Sequence, residues 1–271
     1  MNTEVDFLLV VPAYKESERL PRYLAELSRE LERQHISAAI LVVDDGSGKA
    51  ETAAMLQKIE PVRRSANNIL APLCLPENQG KGGAILAGWN SEHRARWLAF
   101  ADADGATSAS EVCRVFQLAL REQQPHRCYF GARVRMLGRS VHRSFARHLS
   151  GRTFATLVGL LIHPGVYDSQ CGCKLIPAKA FAAIRDLVTE KRFAFDVELL
   201  AALMETGFEI REVPVDWHDV AGSKVSFLRD MADMFRSVLR VRAKREKWRA
   251  EARAAALQRC DLTTANAAKT S

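Results

Sequence analysis

Residues 97–105 read WLAFADADG. The run from Trp97 to Ala101 is continuously apolar, then breaks into two aspartates one residue apart, Asp102 and Asp104, and a glycine. A short apolar run stopped by a turn signal is the pattern of a strand buried on both faces, as in a parallel sheet. The pattern occurs twice upstream. DFLLVVP, residues 6–12, delivers Tyr14, Lys15 and Glu16, and AAILVV, residues 38–43, delivers Asp44, Asp45, Gly46 and Ser47. Between these runs the spacing is helical. Leu20, Leu24, Leu27 and Leu31 lie along one face of 17–34, and further helices are predicted over 50–59, 81–90 and 110–121. A strand over 68–75 is weakened by Pro72. Strand and helix in alternation predict an α/β fold: an open, mostly parallel sheet flanked by helices. Ligands of such sheets bind beyond the carboxyl ends of the strands, and three polar clusters fall there.

The second half is less regular. A helix is predicted over 141–162, a loop and short strand over 168–176, a helix over 196–206 and a strand over 209–217. An amphipathic helix over 227–249 carries Leu228, Met231, Phe235, Val238 and Leu239 on one side. The expected organisation is one domain over 1–226, a basic amphipathic helix over 227–250 and a disordered tail over 251–271. No basic region precedes the first apolar run, so no signal peptide is read at the start. The apolar stretch over 154–166 falls short of the roughly 20 residues of a spanning helix. A cytoplasmic protein, peripheral at the cytoplasmic face of a membrane, is expected. The six cysteines include no CxxC pair and read as reduced packing residues.

The net charge of +7 is unevenly spread. Residues 131–152 hold six arginines, two histidines and no acid, and residues 229–253 hold nine Lys and Arg against four acids. Such segments suit phosphate-bearing partners: lipid headgroups, nucleotides or nucleic acid. Nucleic acid is the weakest of the three. The acids are concentrated at the predicted strand ends, where a polyanion would want cations, and no nucleic-acid motif is visible.

Two carboxylates just past a buried strand can hold a hard divalent cation, Mg²⁺ or Mn²⁺, and leave open positions for phosphate oxygens. A solvated turn is the plain alternative. Asp44 is placed to accept hydrogen bonds from a base or ribose, or else to cap a helix or turn. Residues 78–84 read NQGKGGA: the glycines let backbone amides approach a phosphate, the helix N-terminus favours an anion, and Lys81 adds charge. The spacing is not that of a Walker A loop. His218 is a candidate third metal ligand or an ordinary surface histidine.

VVPAYKES, VVDDGS, NQGKGGAILAGW and ADADGATS, in that order and strand context, resemble the donor half of glycosyltransferase family 2. The likeness continues through DSQCGCKLI at 168–176, RFAFDVELL at 192–200 and EVPVDWHDVAGSKVS at 212–226, and spans roughly residues 5–248. Those later segments are similar to the branch that makes polyprenyl-phosphate sugars, its glucosyl-transferring members above all. The resemblance implies a GT-A fold, a divalent metal and inversion at the anomeric carbon. It implies a nucleoside-diphosphate sugar donor, UDP-glucose, and a polyprenyl phosphate acceptor, while the basic amphipathic helix over 227–249 either lies on an anionic membrane surface or packs on the domain with a solvated outer face. By motif match, Pro12, Tyr14, Glu16 and Asp44 would hold the nucleoside and Lys81 the base or diphosphate. Asp102, Ala103 and Asp104 would hold the ribose and the metal diphosphate.

A phosphate monoester has a second pKa of about 6 and is already an anionic nucleophile near neutral pH. It needs positioning cations more than a base. Arg133 and Lys174 match family positions for such cations, with Arg143, Arg147 and Lys224 as further candidates or as solvated surface charges. A hydroxyl or glycan acceptor would instead need a base, for which Asp168 is the leading carboxylate. Asp196 and Glu198 are either further candidates or ordinary first-turn helix acids. A non-enzymatic basic lipid- or nucleic-acid-binding module is the remote third reading.

Overall fold

The computed structural model describes residues 5–134, 141–142, 165–192, 194–218 and 235–250. Nine strands lie among them: β1 (Val5–Ala13), β2 (Ala38–Asp44), β3 (Leu73–Cys74), β4 (Ala95–Ala101), β5 (Arg127–Ala132), β6 (Val141–His142), β7 (Cys173–Pro177), β8 (Glu209–Pro214) and β9 (Trp217–His218). Seven form one sheet in the order β3-β2-β1-β4-β7-β5-β8, and β6 pairs with β9 separately. In the large sheet β7 runs antiparallel to both neighbours, and the other pairings are parallel.

The helices are α1 (Leu20–Arg33), α2 (Lys49–Arg64), α3 (Lys81–Trp89), α4 (Ala109–Glu122), α5 (Ala178–Ile184), α6 (Phe195–Glu205) and α7, over 235–250. Side chains alternate along a strand, so β1 feeds two cores. Phe7, Leu9 and Val11 pack beneath α1, α2 and α4, where the Phe7 and Phe116 rings stack at 4.3 Å. Leu8 and Val10 face α3, α5 and α6, where Trp89 lies among Phe100, Phe181 and Phe195. Both faces of the central strands are covered, which is why those strands read as unbroken apolar runs.

The mostly parallel sheet agrees with the sequence pattern, with local differences. Only Leu73 and Cys74 join the ladder of the third strand, and Ile69 makes a single bridge to Ile40. Pro72 lies between them and has no N–H to offer a continuous ladder. The strand β5 and helix α5 were not anticipated. Val141 and His142 form a short strand against Trp217 and His218, not the start of a helix, because a partner strand satisfies their backbone. The rest of the helix expected over 141–162 lies outside the described residues, as do 227–234 and the tail. Cys113, Cys128, Cys171 and Cys173 are buried free thiols and Cys74 is an exposed one.

Helix α7 packs on α6. Its Val238 and Val241 are buried with Ala194, Val197 and Ala201. Ion pairs fasten the contact: Lys244 to Glu198, Arg240 to Glu190, and Arg245 and Arg249 to Glu205. Phe235 and Leu239 stay on the outer side, 45% and 41% exposed. No described helix is long and apolar enough to cross a membrane.

Glu198 is fully buried and accepts hydrogen bonds from the Thr189 and Glu190 amides and from Lys244 Nζ, at 2.7, 2.6 and 2.5 Å. Hydrogen bonds to a charged group contribute about 1.5–3 kcal/mol, and Lys244, one-third exposed, can turn to solvent once the carboxylate is gone. Glu198→Ala is therefore expected to lower unfolding free energy by about that amount in a urea titration and to speed proteolysis within α7. An unchanged midpoint would show that this carboxylate does not anchor the helix.

Candidate functional site

A cavity of about 230 Å³ opens at the carboxyl ends of the central strands. Pro12, Ala13, Tyr14, Glu16 and Arg19 line it after β1, Asp45 after β2, Lys81 at the start of α3, and Asp102, Ala103 and Asp104 after β4. Loops from four separate parts of the chain must be held in register there, and backbone hydrogen bonds do this. The Asp45 amide donates to Ala13 O at 2.8 Å, and the Lys15 amide donates to Ser47 Oγ at 2.8 Å.

Asp45 then recruits the glycine-rich loop. Its carboxylate accepts from the Gln79 amide (2.7 Å), the Gly80 amide (2.8 Å) and Asn78 Nδ2 (2.9 Å). Gly80 sits at φ 91°, a backbone that L side chains rarely adopt, and its turn starts α3 with Lys81 as the first residue. Asp44, one residue earlier, is fully buried, with both carboxylate oxygens accepting from the hydroxyls of Ser47 and Thr52. It braces the loop from inside and does not line the cavity. The residue of this pair that faces the cavity is Asp45.

The Asp102–Asp104 loop is seated by the start of β7. The Asp102 amide donates to Gly172 O at 2.9 Å. A Cβ on Gly172 would fall inside the Asp102 carboxylate, so the glycine of QCGCK makes room for the aspartate. Asp104 Oδ1 accepts from the Ala106 amide at 3.0 Å. Burial and the charge of Asp102 push the Asp104 carboxyl above its usual range. Lys81 Nζ stands 2.9 Å from Asp102 Oδ1 and 3.5 Å from Asp196 Oδ2. Burial opposes its charge, yet Asp102 and Asp196 hold the amine above the usual lysine range.

The structure brings together Pro12, Tyr14, Glu16, Lys81, Asp102, Ala103 and Asp104 from the expected set. Others lie elsewhere. Lys174, expected at an acceptor phosphate, is fully buried. Strand alternation turns it to the face of its register partners Phe100 and Phe130, whose ring centroids lie 5.2 and 5.1 Å from Nζ. There Nζ donates to Cys171 O at 2.7 Å and to Asp196 at 2.5 Å. Arg133 is bidentate to Asp168, at 2.6 and 2.8 Å, and its amide donates to the same carboxylate. Arg143, Arg147 and Lys224 lie outside the described residues. The His218 amide donates to Ala106 O at 3.0 Å, which runs β9 beside the aspartate loop. No group of three His, Cys, Asp or Glu gathers as a metal site among the described residues.

Sequence reasoning did not single out Asp45, Arg19 or Gly172. Asp45 stood in plain view beside Asp44, but which of two adjacent aspartates faces the cavity is set by the turn after β2. Arg19 pairs with Glu16 across the turn before α1 and brings a cation to the cavity.

The family profile for glycosyl transferase family 2 matches residues 8–185. This chain belongs to glycosyltransferase family 2. It is 34% identical over 227 residues to the human dolichyl-phosphate beta-glucosyltransferase, covering 80% of this chain and 68% of the human one. Against the Dictyostelium discoideum dolichyl-phosphate beta-glucosyltransferase it is 31% identical over 242 residues, 86% of this chain and 73% of that protein. Among solved structures, glucosyl-3-phosphoglycerate synthase from Mycobacterium tuberculosis, in complex with Mn²⁺, UDP and glucosyl-3-phosphoglycerate, superposes with a TM-score of 0.60 at 12% identity. That match covers 89% of this chain and 80% of the other, and likens the two in their GT-A fold. The family 2 enzyme is thus a glycosyltransferase whose cavity lies at the strand ends, as expected of that fold.

The Asp168–Arg133 pair has a consequence for pH dependence. Burial would push the Asp168 carboxyl up, but Arg133 outweighs it and holds the pKa at about 2, below the ordinary value of about 3.9. A carboxylate with a depressed pKa contributes its full stability above the unfolded value and loses it as pH falls through the folded one. Stability of the wild type is expected to fall between about pH 4 and pH 2 with a slope that Asp168→Asn lacks. Urea midpoints across that range test this, and parallel slopes would refute it. At pH 7 the same variant leaves the partly buried Arg133 guanidinium without its counter-charge, at a cost of about 1–3 kcal/mol.

Proposed function

We propose that this family 2 enzyme transfers glucose from UDP-glucose to a polyprenyl phosphate, with a divalent cation and with inversion at the anomeric carbon. The observation that carries the reading is the convergence of Asp102, Asp104, Lys81 and the Tyr14–Arg19 loop on one cavity, in a chain whose curated relatives are dolichyl-phosphate glucosyltransferases. In this reading Pro12, Tyr14 and Glu16 hold the nucleoside with Asp45 beside them, and Lys81 meets the diphosphate.

Asp102 and Asp104 suit Mg²⁺ or Mn²⁺. They are hard oxygen donors one residue apart on one cavity, and a cation would offset the burial and the Asp102 charge that together raise the Asp104 carboxyl. Oxygens of the donor diphosphate would add to that donor set. The ion would neutralise charge building on the diphosphate as the glycosidic bond breaks. The chain's own part is to fix that geometry, and the Gly172 carbonyl and the Ala106 amide hold the two aspartates in place before any donor arrives.

The state of Asp168 favours a phosphate acceptor over a hydroxyl. A hydroxyl needs a base, and a carboxylate held at about 2 with both oxygens on Arg133 is a poor one. A phosphate monoester needs none near neutral pH. For the acceptor, Arg133 is a cation at hand once its share of Asp168 is loosened. The outer side of α7 suits a membrane carrying that lipid, with exposed Phe235 and Leu239 beside Arg236 and Arg242.

Incubation with radiolabelled UDP-glucose, Mn²⁺ and a short polyprenyl phosphate is expected to move label into the organic phase, and Asp104→Ala to abolish this. Slow hydrolysis of the donor without transfer would overturn the lipid acceptor, and failure to turn over UDP-glucose would overturn the donor. In a separate test, the protein is expected to float with vesicles containing anionic lipid and to lose much of that binding in Phe235→Ser/Leu239→Ser. Protein left at the bottom of the gradient with every vesicle would refute the membrane part.

A further inference from the structure

Beneath the cavity, charges alternate along a single line. Lys174 Nζ lies 2.5 Å from Asp196 Oδ1, Asp196 Oδ2 lies 3.5 Å from Lys81 Nζ, and Lys81 Nζ lies 2.9 Å from Asp102 Oδ1. Lys174 is fully buried and Asp196 is 5% exposed. The other end of the line reaches solvent, with Lys81 and Asp102 side chains about one-third exposed. Both lysines also stand over the Phe100 ring, at 4.9 Å for Lys81 and 5.2 Å for Lys174.

Asp196 lies in the first turn of α6, where an acid complements the helix dipole. That accounts for its type but not for two lysines converging on its two oxygens from different elements. A buried charge pair costs desolvation and often adds no stability over an apolar substitute. The Lys174–Asp196 pair does, however, carry a negative charge to a point under the cavity floor. Burial pushes the Asp196 carboxyl up, and Lys174 and Lys81 together bring it below the usual range.

We propose that Asp196 is a positioning residue, which rests on Lys174 and holds the Lys81 ammonium in place against Asp102. The idea that this cavity is the donor site comes from the reading above, and the positioning role deepens it. Lys81 is a flexible side chain with substantial rotamer freedom to lose. Tethered from below, it meets an incoming diphosphate already oriented, and it keeps Asp196 as partner if Asp102 turns to a cation. Asp196 touches no substrate in this role and moves no proton. It is not the base of a hydroxyl transfer, because both its oxygens are committed to lysines.

The test is a cycle of variants read by UDP affinity in the presence of Mn²⁺, measured by calorimetry. Asp196→Asn alone strands Lys174, so the informative background is Asp196→Asn/Lys174→Met, in which both charges go together. Lys81→Met is expected to weaken UDP binding by about ten- to a hundredfold in the wild type, the range of one charge-assisted hydrogen bond. In the double-variant background it is expected to add less than about threefold, because the tether is already lost. Equal losses in both backgrounds would overturn the proposal, since a merely structural pair gives additive effects. A crystal structure of the double variant decides the point without any ligand. Lys81 Nζ is expected to leave Asp102, and an unmoved ammonium would overturn the tether. Wild type that binds no UDP would refute the donor reading, while that structure would still decide the tether.

Discussion

Strand β7 runs against both of its neighbours, and the rest of the site depends on that reversal. It enters between β4 and β5 with Cys173 opposite Ala101. The loop before it therefore reaches the sheet edge where β4 ends. Gly172 then lies against Asp102, its carbonyl taking the aspartate's amide and its missing side chain leaving room for the carboxylate. A parallel strand in that place would bring its carboxyl end to this edge, and the QCGCK turn would be on the far side of the sheet. The same reversal sends Lys174 down between Phe100 and Phe130, toward α6. One antiparallel ladder thus seats the aspartate loop above and supplies the buried cation below.

Around that ladder the site is an arrangement of opposed charges in a confined space. Asp45 gathers the glycine-rich loop through backbone amides, and the loop presents Lys81. Asp102 and Asp196 flank the ammonium at different depths, and burial together with the charge of Asp102 raises the Asp104 carboxyl beside them. Low local dielectric makes such arrangements strong when complete and costly when a member is missing. It also separates the roles of the acids. Asp168 is locked by Arg133, Asp44 by two hydroxyls, and Asp102 and Asp104 remain at the cavity.

Helix α7 shows how a basic amphipathic segment can serve the fold first. Two valines and four ion pairs tie it to α6 and its surroundings. Glu198 and Asp196 share a helical turn yet point to different tasks, Glu198 outward to α7 and Asp196 inward to the lysines. Packing of α7 therefore steadies the helix that carries Asp196.

The order of the elements from β1 to α4, the mostly parallel sheet and the polar clusters at its carboxyl edge were legible in the chain. Apolar runs that stop at VVPAY, VVDDG and FADAD report strands covered on both faces, and periodicity through Leu20–Leu31 reports α1. These are local signals, set by how a strand or helix must bury its own side chains. The strand β5 and the short ladder of Val141–His142 with Trp217–His218 were not legible, because pairing partners far apart in sequence make them. Nor could the chain say which of Asp44 and Asp45 faces the cavity, or that Lys174 turns inward while Lys81 turns out. Each depends on a strand's register and direction, and a shift of one residue moves a side chain to the opposite face. Sequence by itself determined the family, the fold class and the chemical types gathered at one edge. Only the tertiary structure decided which charges meet, because contact between them is fixed by long-range pairing of strands rather than by spacing along the chain.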